Sequence, residues 1–262
     1  MLKKIYSINW LFIFLVTILA FIGFIALYSA SDSDFDLWTK KQMIRYTISI
    51  LLLFAISFSD VRFWYKNAYL IFLLTLFLLL SVEFFGIFGG GSTRWIRVFN
   101  LSFQPSELIK VSLILLLARY YHDLRYDHIH YKRKLIVPLV AILFPFALIL
   151  MQPDLGTSII LLLLGIIVMF LAGVRIWKFI LSFVIALVLT PTIWKYVLED
   201  YQKKRLLSFL SPELDPLGTG YHLMQSKIAL GSGGLSGKGY LKGSQSYLEY
   251  LPEKQTDFIF TH

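Results

Sequence analysis

The chain has 262 residues, 57% of them hydrophobic and only 16% charged, with a formal net charge of +9. Soluble domains run at about 45–50% apolar and about 25% charged residues, and one soluble core cannot absorb this much apolar surface. The composition excludes a disordered chain and a nucleic-acid-binding domain and argues against an ordinary soluble enzyme. Together with a mean hydropathy of +0.70 it points to a membrane protein with several spans. The absence of cysteine removes disulfides, thiolate zinc sites and cysteine nucleophiles. The basic excess suits anionic lipid headgroups or a phosphate-bearing substrate.

A helix needs about 20 apolar residues to cross the bilayer core. The run Trp10–Ser31 carries no charge and follows Lys3 and Lys4. Its apolar core exceeds the about 7–15 residues of a signal-peptide h-region. The candidate cleavage site ending Tyr28-Ser29-Ala30 has a bulky residue where a small one belongs, so an uncleaved first span is expected. Further spans follow at roughly 42–59, 67–86, 104–121, 135–152, 155–173 and 176–194, which makes seven transmembrane helices within 1–194. Pro138, Pro145 and Pro191 lie inside or near span ends, where neighbouring helices make them tolerable. A long polar, glycine-containing stretch at 195–256 reads as a large extracytoplasmic loop. At 257–262, Phe258-Ile259-Phe260 reads as the start of an eighth helix that the chain end truncates. The expected fold is therefore an all-α polytopic membrane protein. Alternate flanks carry eleven Lys and Arg residues on the N-terminal side and five on the other, which predicts a cytoplasmic N-terminus.

Five segments carry candidate chemistry. Glu107 and Lys110 lie three residues apart in the fourth span, on one helix face. An ionisable pair in a membrane helix is a functional candidate, and a structural ion pair is the equal alternative. Gly89–Ile96 combines glycines, which let backbone approach a ligand, with Arg94, which can grip phosphate oxygens. Its bland reading is a flexible loop with Trp95 anchored at the interface. Gln152–Thr157 reads as a tight turn with Asp154 capping the next helix. Gly231–Gly239 tempts a nucleotide reading, but Ser232 stands where a Walker loop needs Gly, and Gly239 where it needs Ser or Thr. In Pro252–Phe260 the carboxylate of Asp257 stands at the mouth of a new span, as a general base or as an N-terminal helix residue. His122, His128 and His130 read as a solvated loop rather than a metal site.

These motifs, in this order, resemble the SEDS family (shape, elongation, division and sporulation), that of RodA and FtsW. The matching blocks are Gly91–Ile96, Gln104–Lys110, Gln152–Thr157, Asp215–Tyr221, Gln225–Gly239 and Leu251–Phe260, spread over nearly the whole chain. Gly243-Ser244-Gln245-Ser246 looks more like the elongation branch, that of RodA, than the division branch. The resemblance implies a ten-helix fold in the bacterial inner membrane and peptidoglycan glycosyltransferase activity. Such proteins polymerise lipid II into glycan strands for cell elongation and rod shape, beside a class B penicillin-binding protein, and release polyprenyl pyrophosphate. The family's essential aspartate maps to Asp257, and its buried acid and base map to Glu107 and Lys110. Arg94, Trp95, Gln225 and Lys238 stand in the matching blocks as substrate-binding positions. Gln255 replaces the His that commonly precedes the Thr-Asp pair, and the family's later Ser-Tyr-Gly-Gly motif is not present.

On that reading Asp257 is the general base of an inverting glycosyl transfer, and Arg94, Lys110 and Lys238 face the leaving pyrophosphate. The sequence offers no dedicated metal site; a divalent cation, Mg or Mn, is the one cofactor the scheme leaves room for. A lipid II flippase or transporter, and a non-catalytic scaffold of the wall-synthesis complex, are the alternatives. Nucleic acid is not an expected partner; membrane lipids are.

Overall fold

The computed structural model describes residues 8–31, 34–89, 92–98, 101–124, 131–152, 154–196, 203, 219–234 and 239. Helices occupy all seven predicted positions: α1 Trp10–Ala30, α2 Lys40–Phe58, α3 Val61–Phe85, α4 Pro105–His122, α5 Lys132–Met151, α6 Leu155–Leu171 and α7 Ile176–Tyr196. A π-helical turn, Phe35–Thr39, feeds α2. Among the described residues, α1, the π turn with α2, α3 and α5 are long and apolar enough to cross a membrane, and α6 and α7 are shorter apolar helices.

Two regions depart from expectation. The glycine-rich segment before α4, read above as a loop, is a three-stranded antiparallel meander: β1 Ile87–Gly89, β2 Ser92–Val98 and β3 Leu101–Phe103, in that order. β1 pairs Phe88 with Thr93, and β2 pairs Ile96 with Phe103. β2 is the middle strand, and its residues Arg94, Trp95 and Ile96 are all half-buried. The second departure is α8, Thr219–Gly233, a helix inside what was read as an extracytoplasmic loop. The predicted eighth helix at 257–262 lies outside the described residues.

The chain divides into two compact units, one of Asp60–Val197 and one of Met1–Ser59 with Leu198–His262. In the first, α4 is central. It packs against α3, α5 and α6, and β2 lies on α3 and α4. The fully buried Ile109, Leu113 and Leu117 of α4 recur at helical spacing and meet Leu79, Ile142 and Leu161 from the surrounding helices. Gly165 lets α6 come close to α5: a Cβ there would stand 2.6 Å from Ile142 Cδ1. Pro138 and Pro145 of α5 are buried on the face that carries Ile142 and Ile149. Several polar groups in this core are paired across helices, which a membrane interior favours. Thr75 Oγ1 and Ser112 Oγ are 2.6 Å apart between α3 and α4, and Gln152 Nε2 donates to the Leu79 carbonyl at 3.2 Å. At the opposite end of α4, the Arg119 guanidinium covers the Tyr69 ring at 4.5 Å and donates to the Lys66 carbonyl at 2.6 Å.

In the second unit, Asn9 caps α1 by accepting from the Phe12 amide at 3.1 Å. Tyr46 of α2 donates to Thr17 Oγ1 of α1 at 2.8 Å, and its ring meets Phe24 edge-on at 5.7 Å.

Candidate functional site

The end of the packed unit that carries the sheet gathers most of the described polar side chains singled out by sequence. Asp154 is its hub. As the N-cap of α6 it accepts the Thr157 amide on Oδ1 at 3.2 Å, which satisfies a helix donor that has no partner within the helix. Its other oxygen, Oδ2, accepts from Thr157 Oγ1 at 2.9 Å and from Gln104 Nε2 at 3.1 Å. Arg94 Nη1 of β2 closes an ion pair on the same oxygen at 3.2 Å. The Asp154 and Arg94 side chains keep only 9% and 22% of their exposure. A carboxylate this deep needs its charge and lone pairs answered, and three donor residues answer them. The capping role expected of Asp154 is present. The ion pair with Arg94 is an addition that the sequence reading missed, as is the part played by Gln104. Arg94, Gln104 and Asp154 come from three different motif blocks, and that grouping was the only available signal.

Trp95 is half-buried and follows Arg94 along β2. Its strand partner is Ile87, beside an irregularity in the ladder.

Glu107 and Lys110 do meet. Lys110 Nζ stands 2.8 Å from Glu107 Oε1. The resemblance implied a buried acid and base, and the structure separates the two: the Lys110 side chain is 17% exposed and that of Glu107 57%. The reason is helical register. In the first turn of α4, Pro105, Ser106 and Ile109 take the core face, which turns Glu107 outward. A carboxylate in a first turn is also favoured by the helix dipole.

Gln225 is half-buried on α8, in the other unit. Asp257 and Lys238 lie outside the described residues. Among the described residues no group of three or more His, Asp or Glu side chains gathers as a metal site, so the possible divalent ion has no assigned ligands.

Comparison with known proteins supplies the rest. The family described as "Cell cycle protein", that of FtsW, RodA and SpoVE, matches residues 9–262. The peptidoglycan glycosyltransferase MrdB of Escherichia coli K12 is 45% identical over 178 residues, 67% of this chain and 47% of that protein. The probable peptidoglycan glycosyltransferase FtsW of Wigglesworthia glossinidia brevipalpis is 36% identical over 269 residues, 98% of this chain and 69% of that protein. Among solved structures, a chain of a peptidoglycan synthase complex matches with TM-score 0.75 and 32% identity, covering 97% of this chain and 69% of its own. The rod shape determining protein RodA of Thermus thermophilus matches with TM-score 0.58 and 30% identity over 70% of this chain and 59% of its own. The chain spans about half the length of the MrdB relative. The apolar helices, the polar motif blocks and these matches agree: the chain belongs to the FtsW/RodA/SpoVE family of multi-pass membrane proteins.

Proposed function

We propose that the chain takes part in peptidoglycan glycosyl transfer, polymerising lipid II into glycan strands in the elongation branch of the family. The observation that carries this reading is the convergence on Asp154 of Arg94 and Gln104, from three motif blocks far apart in sequence. Relatives named as peptidoglycan glycosyltransferases, and a structural neighbour titled for polymerization and crosslinking, support it. The neighbour also supports a transpeptidase partner, a class B penicillin-binding protein. Orientation belongs to the same proposal: the N-terminus is cytoplasmic, and the sheet with the Arg94–Asp154 pair faces outward in the bacterial inner membrane.

The chemistry runs as an inverting transfer. The C4 hydroxyl of one lipid-linked disaccharide attacks C1 of the strand's terminal sugar. The C1–O bond to pyrophosphate breaks, and the hydroxyl proton passes to the Asp257 carboxylate. The polyprenyl pyrophosphate leaves with added negative charge. Arg94, held in place by Asp154, and Lys110, drawn toward Glu107, are cations oriented before that charge develops, which is where electrostatic catalysis is strongest. Lys238 is the third cation in the scheme, and Gln225 and Trp95 are substrate contacts at positions given by their motifs.

The test is polymerisation of labelled lipid II in liposomes, with and without a class B transpeptidase. Strands from the wild-type chain and none from Asp257→Asn support the reading. Replacing Arg94 by Gln should slow polymerisation by about 10²-fold, the size of one lost transition-state donor. Undiminished strands from Asp257→Asn, or leaflet-to-leaflet movement of lipid II with no polymer, would overturn it.

A further inference from the structure

Between α1 and α2 lies an open groove of about 650 Å³. Its α1 wall includes Leu19, Ala20, Gly23 and Leu27, residues that recur along one helical stripe. The stripe is apolar, and its two small members deepen it: a Cβ built on Gly23 would meet nothing within 4 Å. The facing stripe is different. It carries Lys41 and Arg45 one turn apart, with Trp38 before them and Tyr46 after.

We propose that this groove holds one anionic phospholipid of the bilayer, with its phosphate against Lys41 and Arg45 and an acyl chain along the α1 stripe. Charge carries the argument. Neighbouring Lys40 is neutralised by Asp36 at 2.6 Å, whereas Lys41 and Arg45 form no ion pair with any described residue. No carboxylate lines the groove. Two like charges one helical turn apart repel each other, and an anion between them reverses the sign of that interaction. Both side chains are exposed and long enough to lift their charges toward the headgroup layer while their stems cover apolar wall. Trp38, half-buried at the same end, is the residue type that sits at headgroup depth. The bond from Tyr46 to Thr17 and the edge contact of Tyr46 with Phe24 tie the two walls together, so the groove exists before its occupant arrives. The apolar wall makes the occupant a lipid rather than a free phosphate. None of the residues assigned to glycosyl transfer lines the groove, so the occupant is a resident bilayer lipid rather than substrate. The inference stands independently of the enzymatic reading.

The test is native mass spectrometry of the 262-residue chain released from detergent after titration with dioleoyl phosphatidylglycerol, dioleoyl phosphatidylcholine or undecaprenyl phosphate. Each basic side chain at a membrane surface is worth about a factor of five toward anionic lipid. The wild-type chain should therefore hold phosphatidylglycerol roughly ten- to thirtyfold better than phosphatidylcholine. The double variant Lys41→Gln, Arg45→Gln should erase that ratio while its phosphatidylcholine adduct stays constant. Gly23→Leu, which fills open space, should weaken both adducts with an unchanged unfolding temperature. An unchanged headgroup ratio in the double variant would overturn the proposal. So would undecaprenyl phosphate outcompeting phosphatidylglycerol at the same residues, since the groove would then hold substrate lipid.

Discussion

Helices α1 and α2 and helices α3 to α6 are built from similarly apolar sequence, yet they use it differently. α1 buries only Leu27 and Ala30, and α2 buries nothing. α4 buries eight residues, from Pro105 to Tyr121, and α5 buries a full stripe that includes Ile142 and Ile149. In a membrane, hydropathy marks what can leave water, not what packs against protein, because lipid tails are as apolar as leucine. In the packed region small and polar residues sit against a neighbouring helix: Gly165 against Ile142, Thr75 against Ser112, Gln152 against the Leu79 carbonyl; Gly23 of α1 instead faces open space. At Gly165 the helices close up. Where only Leu, Phe and Ile project, as over most of α1, the face is left to lipid.

The strongest way to break this comparison is at Asp154. Asp154→Ala removes the cap of α6 and leaves Arg94 without its carboxylate at a site that keeps little exposure. Breaking a buried pair costs about 3–5 kcal/mol, and the lost cap about 1 more. The unfolding temperature in detergent should drop sharply, and Asp154→Asn, which keeps a cap oxygen, should fall between the variant and wild type. A loss below about 1 kcal/mol would mean the network adds nothing beyond a surface pair.

The same substitution at two glycines sharpens the contrast directly. Gly165→Leu drives side-chain atoms into Ile142, and overpacking of this kind costs about 1–3 kcal/mol. Gly23→Leu enters open space and should change stability by less than about 0.5 kcal/mol. Parallel thermal unfolding of the two variants decides it. Equal losses would mean the two helix sets are packed alike.

How much of this was legible beforehand follows from the same physics. Long apolar runs with few charges place six of the seven helices to within about three residues. α3 starts at Val61 rather than near 67 because Asp60 caps it, accepting from the Arg62 amide at 2.9 Å, and the polar first turns extend the helix beyond its apolar run. No local pattern announces the meander, because glycine reads as a loop signal and Arg94-Trp95-Ile96 lacks the alternation of a strand. The fourth span is a helix as expected, and the outward turn of Glu107 on it follows from register, which is set by the neighbours of a helix. The Arg94–Asp154 pair joins residues from different motif blocks, and no local pattern announces such a partner.

A smaller effect is expected at the hydroxyl pair in the packed core. Thr75→Val keeps shape and leaves Ser112 Oγ with its bond to the Ile109 carbonyl at 3.1 Å. Interhelical hydrogen bonds in membranes average about 0.6 kcal/mol, so a small drop in unfolding temperature is expected. A loss of several times that would mean the pair holds α3 to α4 as firmly as their apolar contacts do.

The smallest effect on stability belongs to Glu107, and that makes it informative. Its side chain is 57% exposed and meets Lys110 at 2.8 Å within one turn of α4. Exposed pairs contribute about 0.2–1 kcal/mol, and Glu107→Gln keeps an acceptor oxygen for the same lysine. The unfolding temperature should stay within about one degree of wild type, since about 1 kcal/mol shifts a domain of 150–250 residues by about 2–4 °C. Polymerisation by the same variant then separates two roles that the geometry alone leaves together. If strands form at the wild-type rate, the pair is a surface ion pair at a helix start. If the rate falls at unchanged stability, Glu107 orients Lys110 for the leaving pyrophosphate, because a loss of rate without a loss of stability belongs to the reaction and not to the fold.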